Sequence, residues 1–225
     1  MRTLYIVTHP EATHHVEGRV GGWYDSELTP TGLDHAAAVA RRLEERIPHG
    51  ARVELYTSDL CRTAQTAEAI GRRLGVAAIE DARLREKSYG AAEGRPQSWL
   101  DERFLTPPPH GERLEHDEGI DGAETMAHFG ARVYAAMDDI LASSSDHQIV
   151  STHGGALTFV AAAFLRLPLE GLQYFRLRAR PGGITVLQED DHFHNRSLRE
   201  LSDTTHLPAP PAPAPPARVS TTRRA

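Results

Sequence analysis

LYIVTHPEATHHVEGRVGGWYDSELTPTG, residues 4–32, opens on four apolar residues and closes on Thr29-Pro30-Thr31. The short apolar run at Leu4 to Val7 reads as a buried strand, and threonine followed by proline reads as a helix cap and first turn. That helix is expected to run to about Arg46. The alternation continues downstream, with a strand at residues 53–57, a helix at 62–74 ended by Gly75, and a weaker strand at 77–80. After an irregular stretch come a long helix at 124–141, a strand at 148–151 and an apolar helix at 156–165. Late strands are expected at 175–178, 184–188 and 196–201. Strands separated by helices predict an α/β fold, with a mainly parallel sheet flanked by helices on both faces. The stretch from Gly90 to Gly122, with Pro107-Pro108-Pro109 and scattered charges, is expected to be a loop-rich lid.

In open parallel sheets ligands gather beyond the carboxyl ends of the strands. His9 directly follows the first strand. His153 follows the strand at 148–151 and precedes Gly154-Gly155, where a helix begins. Free amides at a helix start favour an anion, and glycines let a phosphate approach the backbone, so a phosphate site is expected here.

Composition limits the alternatives. At 225 residues the chain suits one domain or one domain plus a tail, and 40% apolar with 25% charged residues is ordinary for a soluble globular protein. The domain is expected over residues 1–206. Residues 207–225 hold six of the fifteen prolines and read as a disordered, proline-rich tail. Acidic residues exceed basic ones by 31 to 25, so no chain-wide basic face for nucleic acid is expected. The longest apolar stretch, residues 154–165, falls short of the roughly 20 residues that span a bilayer, so no membrane partner is expected. Residues 4–7 are too short an apolar run for a secretory signal, and Cys61 is the single cysteine, which suits a reducing cytoplasm.

The segment 4–32 resembles the opening of the histidine phosphatase superfamily, the phosphoglycerate mutase-like family, whose usual form is Arg-His-Gly-Glu-Thr, then asparagine, then Gly-Trp-x-Asp-x-x-Leu-Thr-x-x-Gly. Further matches come in order: TSDLCRTAQTAE around Arg62, LREKSYG around Glu86, DGAET near Asp121, STHGG around His153 and LSDTTHL at residues 201–207. The likeness spans residues 4–207. It implies a phosphoglycerate mutase-like fold and hydrolysis of a small-molecule phosphomonoester without a metal or other cofactor. His9 would be the nucleophile that becomes phosphohistidine, and Glu86 the proton donor and later the base. Arg62 and His153 would hold the phosphoryl oxygens. Thr8, His15, Gly21, Gly22, Tyr89 and Gly154 would surround phosphate or substrate. The expected partners are a small phosphorylated metabolite and, at most, a second copy of the chain as a homodimer.

Three positions depart from the family pattern. The usual arginine before the nucleophile is Thr8, the following glycine is Pro10, and the asparagine is His15. The lost ionic hydrogen bond is worth about 1.5 to 3 kcal/mol, or about ten- to a hundredfold in rate. A protonated His14 or His15 would restore part of that charge. Hydrolysis is favoured over mutase chemistry because residues 90–122 supply no long basic insertion, although Arg95, Arg103 and Arg113 remain candidate substrate contacts. A catalytically impaired phosphate-binding protein is the alternative of a different class. A metal site on His14 and His15 is disfavoured, since adjacent side chains point apart on most backbones. Competing structural readings pair Arg62 with Glu68, pair Glu86 with Arg83 or Arg85, make Tyr89 and Trp23 packing residues, and bury Cys61.

Overall fold

The computed structural model describes residues 1–208. The expected tail therefore lies outside the described residues from position 209 onward. The elements run β1 (Arg2–Thr8), α1 (Thr13–Val16), α2 (Pro30–Arg46), β2 (Val53–Thr57), α3 (Cys61–Leu74), β3 (Ala78–Glu80), α4 (Gln97–Asp101), α5 (Met126–Ala142), β4 (His147–Thr152), α6 (Ala156–Phe164), β5 (Ile184–Glu189) and β6 (Arg196–Asp203). The sheet order is β3-β2-β4-β1-β5-β6. β3, β2, β4 and β1 are parallel, whereas β5 is antiparallel to β1 and β6 antiparallel to β5.

Strand alternation sends successive side chains to opposite faces. Leu4, Ile6, Val150 and Leu187 join Phe129, Met137 and Phe159 on the α5 and α6 side. Tyr5, Val7, Leu55 and Ile149 join Val39, Leu43 and Ile70 on the α2 and α3 side. Helix starts obey their sequence signals. Thr29 Oγ1 accepts from Gly32 N, and Thr125 Oγ1 accepts from His128 N. The left-handed Gly75 (φ +70°) ends α3.

One expected strand is absent. Residues 175–178 run irregularly across the ends of α6, and the Leu177 amide donates to Thr158 Oγ1 (3.1 Å) rather than to a strand. Both sides of β5 are already paired, with β1 and β6, so that strand offers the segment no free edge. The stretch 90–122 is also better ordered than its composition foretells. Val20, Ala92, Leu100 and Ile120 form a separate small apolar cluster, and short α4 lies within it.

Candidate active site

The topology explains which residues meet. β4 lies between β1 and β2 with parallel pairing, so the carboxyl ends of all three strands share one edge of the sheet. His9 leaves β1, His153 leaves β4, and Ser58 leaves β2. The His9 and His153 rings meet edge-on with centroids 5.2 Å apart, and His153 Nε2 lies 2.9 Å from Ser58 Oγ. α3 begins just beyond β2 and carries Arg62. Because Leu60 offers no side-chain cap, Asp25 supplies one from a distance, accepting from Cys61 N (2.7 Å).

Hydrogen bonds fix the chemistry of the first imidazole. His9 Nδ1 is 2.8 Å from the Pro10 carbonyl, which can only accept, so Nδ1 carries the proton. The lone pair is left on Nε2, where Arg62 Nε donates to it (3.2 Å). Arg62 is fully buried, and its terminal nitrogens donate to the carbonyls of Tyr24 (2.8 Å) and Gly22 (2.7 Å). It therefore spans His9 and the Gly21-Gly22 turn instead of pairing with Glu68, which takes Arg72. Burial lowers the guanidinium pKa to about 10, with Glu86 and Asp25 opposing, so it stays charged near neutrality. Burial first, and then the Arg62 charge, also hold His9 and His153 well below their ordinary 6.5. His153 Nδ1 is buried and has no partner among the described residues.

Glu86 forms no ion pair with the flanking arginines. Arg83 pairs with Asp81 and Asp139, and Arg85 with Asp59. The Glu86 carboxylate instead accepts from Gly155 N (2.8 Å) and Lys87 N (2.9 Å). The amide at the start of α6, expected to meet a phosphate, is thus occupied by this carboxylate. A Cβ at Gly155 would run into the Glu86 carboxylate, so any other residue there would push that side chain away from the Gly155 amide. Arg132 of α5 secures the same segment, donating to the carbonyls of Arg83, Arg85 and Glu86, while its ion pair with Glu124 (2.7 Å) lets Glu124 accept from Ser88 N. Trp23 Nε1 adds a bond to the Glu86 carbonyl (2.8 Å).

A cavity of about 340 Å³ lies over these groups. Thr8, His9, His15, Gly21, Gly22, Arg62, Glu86, Tyr89 and Gly154 all line it, while His153 lies fully buried beside His9. Gly22 is left-handed (φ +58°), and a side chain there would collide with Tyr89 and Glu93. Tyr89 is pushed up to about 12, chiefly by burial.

His14 and His15 do not point apart. Their ring centroids are 4.0 Å apart on the single turn of α1, and the His15 ring stacks on His9 at 5.5 Å. The reason is α1 itself, a turn that no periodicity in residues 13–16 announces. In it the Ala12 amide donates to His15 Nδ1 (3.1 Å), while His14 Nδ1 lies 2.6 Å from Ser26 Oγ. No group of three or more His, Cys, Asp or Glu among the described residues has metal-holding geometry. Arg95 and Arg103 lie over Trp99, and Arg113 over Tyr174; none of the three lines the cavity. His14, offered from sequence as a charge beside the phosphate, also lines the cavity, but it is held to about 3 and so stays neutral. The remaining walls include Arg19, Val20, Gln97 and Leu100, none of them expected there from sequence. Arg132 and Ser58 were not expected either; only the DGAET match, which holds Glu124, hinted at the first. Cys61 is half-buried, its thiol pushed up by burial and by Asp25 and Glu27 rather than activated by Arg62.

The buried imidazoles make stability depend on pH. His14 is lowered to about 3, mainly by burial, and His15, His9 and His153 are lowered too, so below 6.5 the unfolded chain binds protons that the fold refuses. Stability is therefore full above 6.5 and falls with pH, each such group costing up to about 1.4 kcal/mol per pH unit until its folded pKa is reached. Urea unfolding is expected to show a clear loss from about pH 7.5 to about pH 5.5, with a shallower slope in His14→Asn.

A mostly parallel α/β sheet thus places two histidines at adjacent strand ends beside a buried arginine and near a glutamate. The profile described as "Histidine phosphatase superfamily (branch 1)" matches residues 4–202. "Probable phosphoglycerate mutase GpmB" of Yersinia pestis (strain Pestoides F) is 33% identical over 218 residues, covering 93% of this chain and 97% of that protein. Among solved structures, Bacillus stearothermophilus YhfR is similar at a TM-score of 0.73 and 26% identity, over 92% of this chain and 100% of that one. A mycobacterial glucosyl-3-phosphoglycerate phosphatase complexed with VO3 is similar at 0.72 and 25%, over 90% and 99%. This chain belongs to the histidine phosphatase superfamily. No described helix is long and apolar enough to cross a membrane.

Proposed function

We propose that the protein is a metal-independent phosphatase that hydrolyses a small-molecule phosphomonoester through a phosphohistidine on His9. The observation that carries the reading is the protonation pattern of that ring: Nδ1–H is committed to the Pro10 carbonyl, leaving a neutral Nε2 beside the Arg62 guanidinium. In the first step the Nε2 lone pair forms the N–P bond as the ester P–O bond breaks, and the leaving oxygen takes the proton of Glu86. In the second, Glu86 takes a proton from water, the water oxygen bonds to phosphorus, and the N–P bond breaks to release orthophosphate and neutral His9. Arg62 and the unpartnered His153 Nδ1 hold the equatorial oxygens. A cytoplasmic setting fits the single Cys61.

Hydrolysis and phosphoryl transfer differ only in whether water or a substrate hydroxyl takes the phosphoryl group. The name of the Yersinia relative favours transfer. Hydrolysis is favoured because Arg95, Arg103 and Arg113 lie against Trp99 and Tyr174, outside the cavity, leaving Arg19 and Arg62 as the arginines that line it. A panel of phosphomonoesters scored for orthophosphate tests this: His9-dependent, EDTA-insensitive release is expected, and isomerisation of phosphoglycerates without release would assign the transferase instead.

Thr8 stands where the family places arginine, and the stacked His15 is the group next to it that can compensate. Burial and the Arg62 charge hold His15 below its ordinary 6.5, so the compensation expected of a protonated ring reduces to a neutral Nε2–H, the Nδ1 accepting from the Ala12 amide. His15→Ala is expected to lower kcat/KM about fivefold, the worth of one neutral hydrogen bond. Thr8→Arg is expected to make activity insensitive to His15→Ala. An undiminished His15→Ala enzyme would remove the compensating role.

A further inference from the structure

A second, smaller cavity of about 110 Å³ lies beside the first, and the two share Glu86 and Tyr89 as walls. Its other walls are largely apolar: Phe104, Met126, Phe129, Phe159 and Phe175. Apart from the exposed Arg176, the polar groups that reach it are already engaged. Lys87 and Glu118, nearly buried at 4% and 12% exposure, form an ion pair at 2.7 Å, with Lys87 Nζ over the Tyr89 ring. Thr158 Oγ1 accepts from the Leu177 amide, and the Glu86 carboxylate accepts from Gly155 and Lys87. Away from the exposed Arg176, a charged group entering here would lose water without gaining a free partner, which is unfavourable, whereas an apolar group would gain from leaving water.

Resting on the phosphatase reading above, in which Glu86 protonates the departing oxygen, we propose that this cavity is the leaving-group subsite. The substrates are then monoesters of an alcohol that bears a compact alkyl or aryl group close to the ester oxygen. An oxygen bonded to phosphorus at His9 and within reach of Glu86 has its carbon substituent at the boundary between the two cavities. The space suits a short branched chain or the edge of a ring, being smaller than the ~150 Å³ apolar cavity known to admit benzene. Phe175, 45% exposed, flanks the mouth, where a larger group could extend to solvent.

The test uses n-alkylphosphonates of increasing chain length, which cannot be hydrolysed, with affinities for the full-length protein measured by calorimetry. Kd is expected to fall about fourfold per added methylene over the first members and then level off as the cavity fills. Phe175→Ala, at a half-exposed position where truncation spares the core, and Met126→Trp, which fills the space, should each flatten the series. Affinity indifferent to chain length overturns the subsite, as does a rise that both substitutions leave intact. If no member binds, the phosphate site falls with it. If the series binds as expected while the matching alkyl phosphates release no orthophosphate, the subsite stands and the phosphatase reading falls.

Discussion

Replacing His9 with asparagine is expected to abolish turnover, with kcat falling by about 10⁴ to 10⁶, the range seen when a covalent nucleophile is removed. Asparagine keeps a side-chain N–H for the Pro10 carbonyl and fills much of the imidazole volume, so the site stays assembled. Only the Nε2 lone pair facing Arg62 is gone. Rapidly quenched turnover of the parent enzyme should carry phosphate on residue 9, labile to acid and stable to base. An adduct on another residue, or activity surviving the substitution, would sink the mechanism. Circular dichroism of the variant separates loss of chemistry from loss of fold.

Glu86→Gln is the second large effect. Glutamine can still accept from the Gly155 and Lys87 amides, so the segment clamped by Arg132 stays in place, but it cannot deliver a proton. For an alkyl ester, whose alkoxide leaves poorly, kcat/KM should drop by about 10² to 10⁴. For nitrophenyl phosphate, whose leaving group departs without a proton, the drop should be much smaller. Equal losses on both esters would mean that Glu86 supports the site and transfers no proton.

Much of this architecture is written in local signals. Leu4 to Val7 is a run that only a buried strand accommodates, Thr29-Pro30 caps α2, Gly75 ends α3, and the observed bounds differ from the expected ones by a residue or two. The two histidines were legible as a pair because each comes directly after an apolar run, and parallel strands bring their carboxyl-terminal neighbours to one edge. Pairing partners were not legible. Nothing within Ile184 to Glu189 tells the strand to lie antiparallel to β1, and Phe175 to Arg178 carries the same apolar alternation without finding an edge. The packing of His14 against His15 depends on one turn of helix held by Ser26 and the Ala12 amide, contacts between residues with no shared pattern. Arg132 escaped notice because its acceptors are backbone carbonyls, which have no sequence signature.

The missing Cβ at position 155 has a consequence for laboratory evolution. Because the methyl of an alanine would displace the Glu86 carboxylate, a saturation library selected for turnover should be strongly enriched in glycine there. Phe175, exposed at the rim, should accept many residues and become the place where new preferences are gained. Evolvability and constraint would thus sit twenty residues apart along the chain, 155 against 175, in the walls of one small cavity.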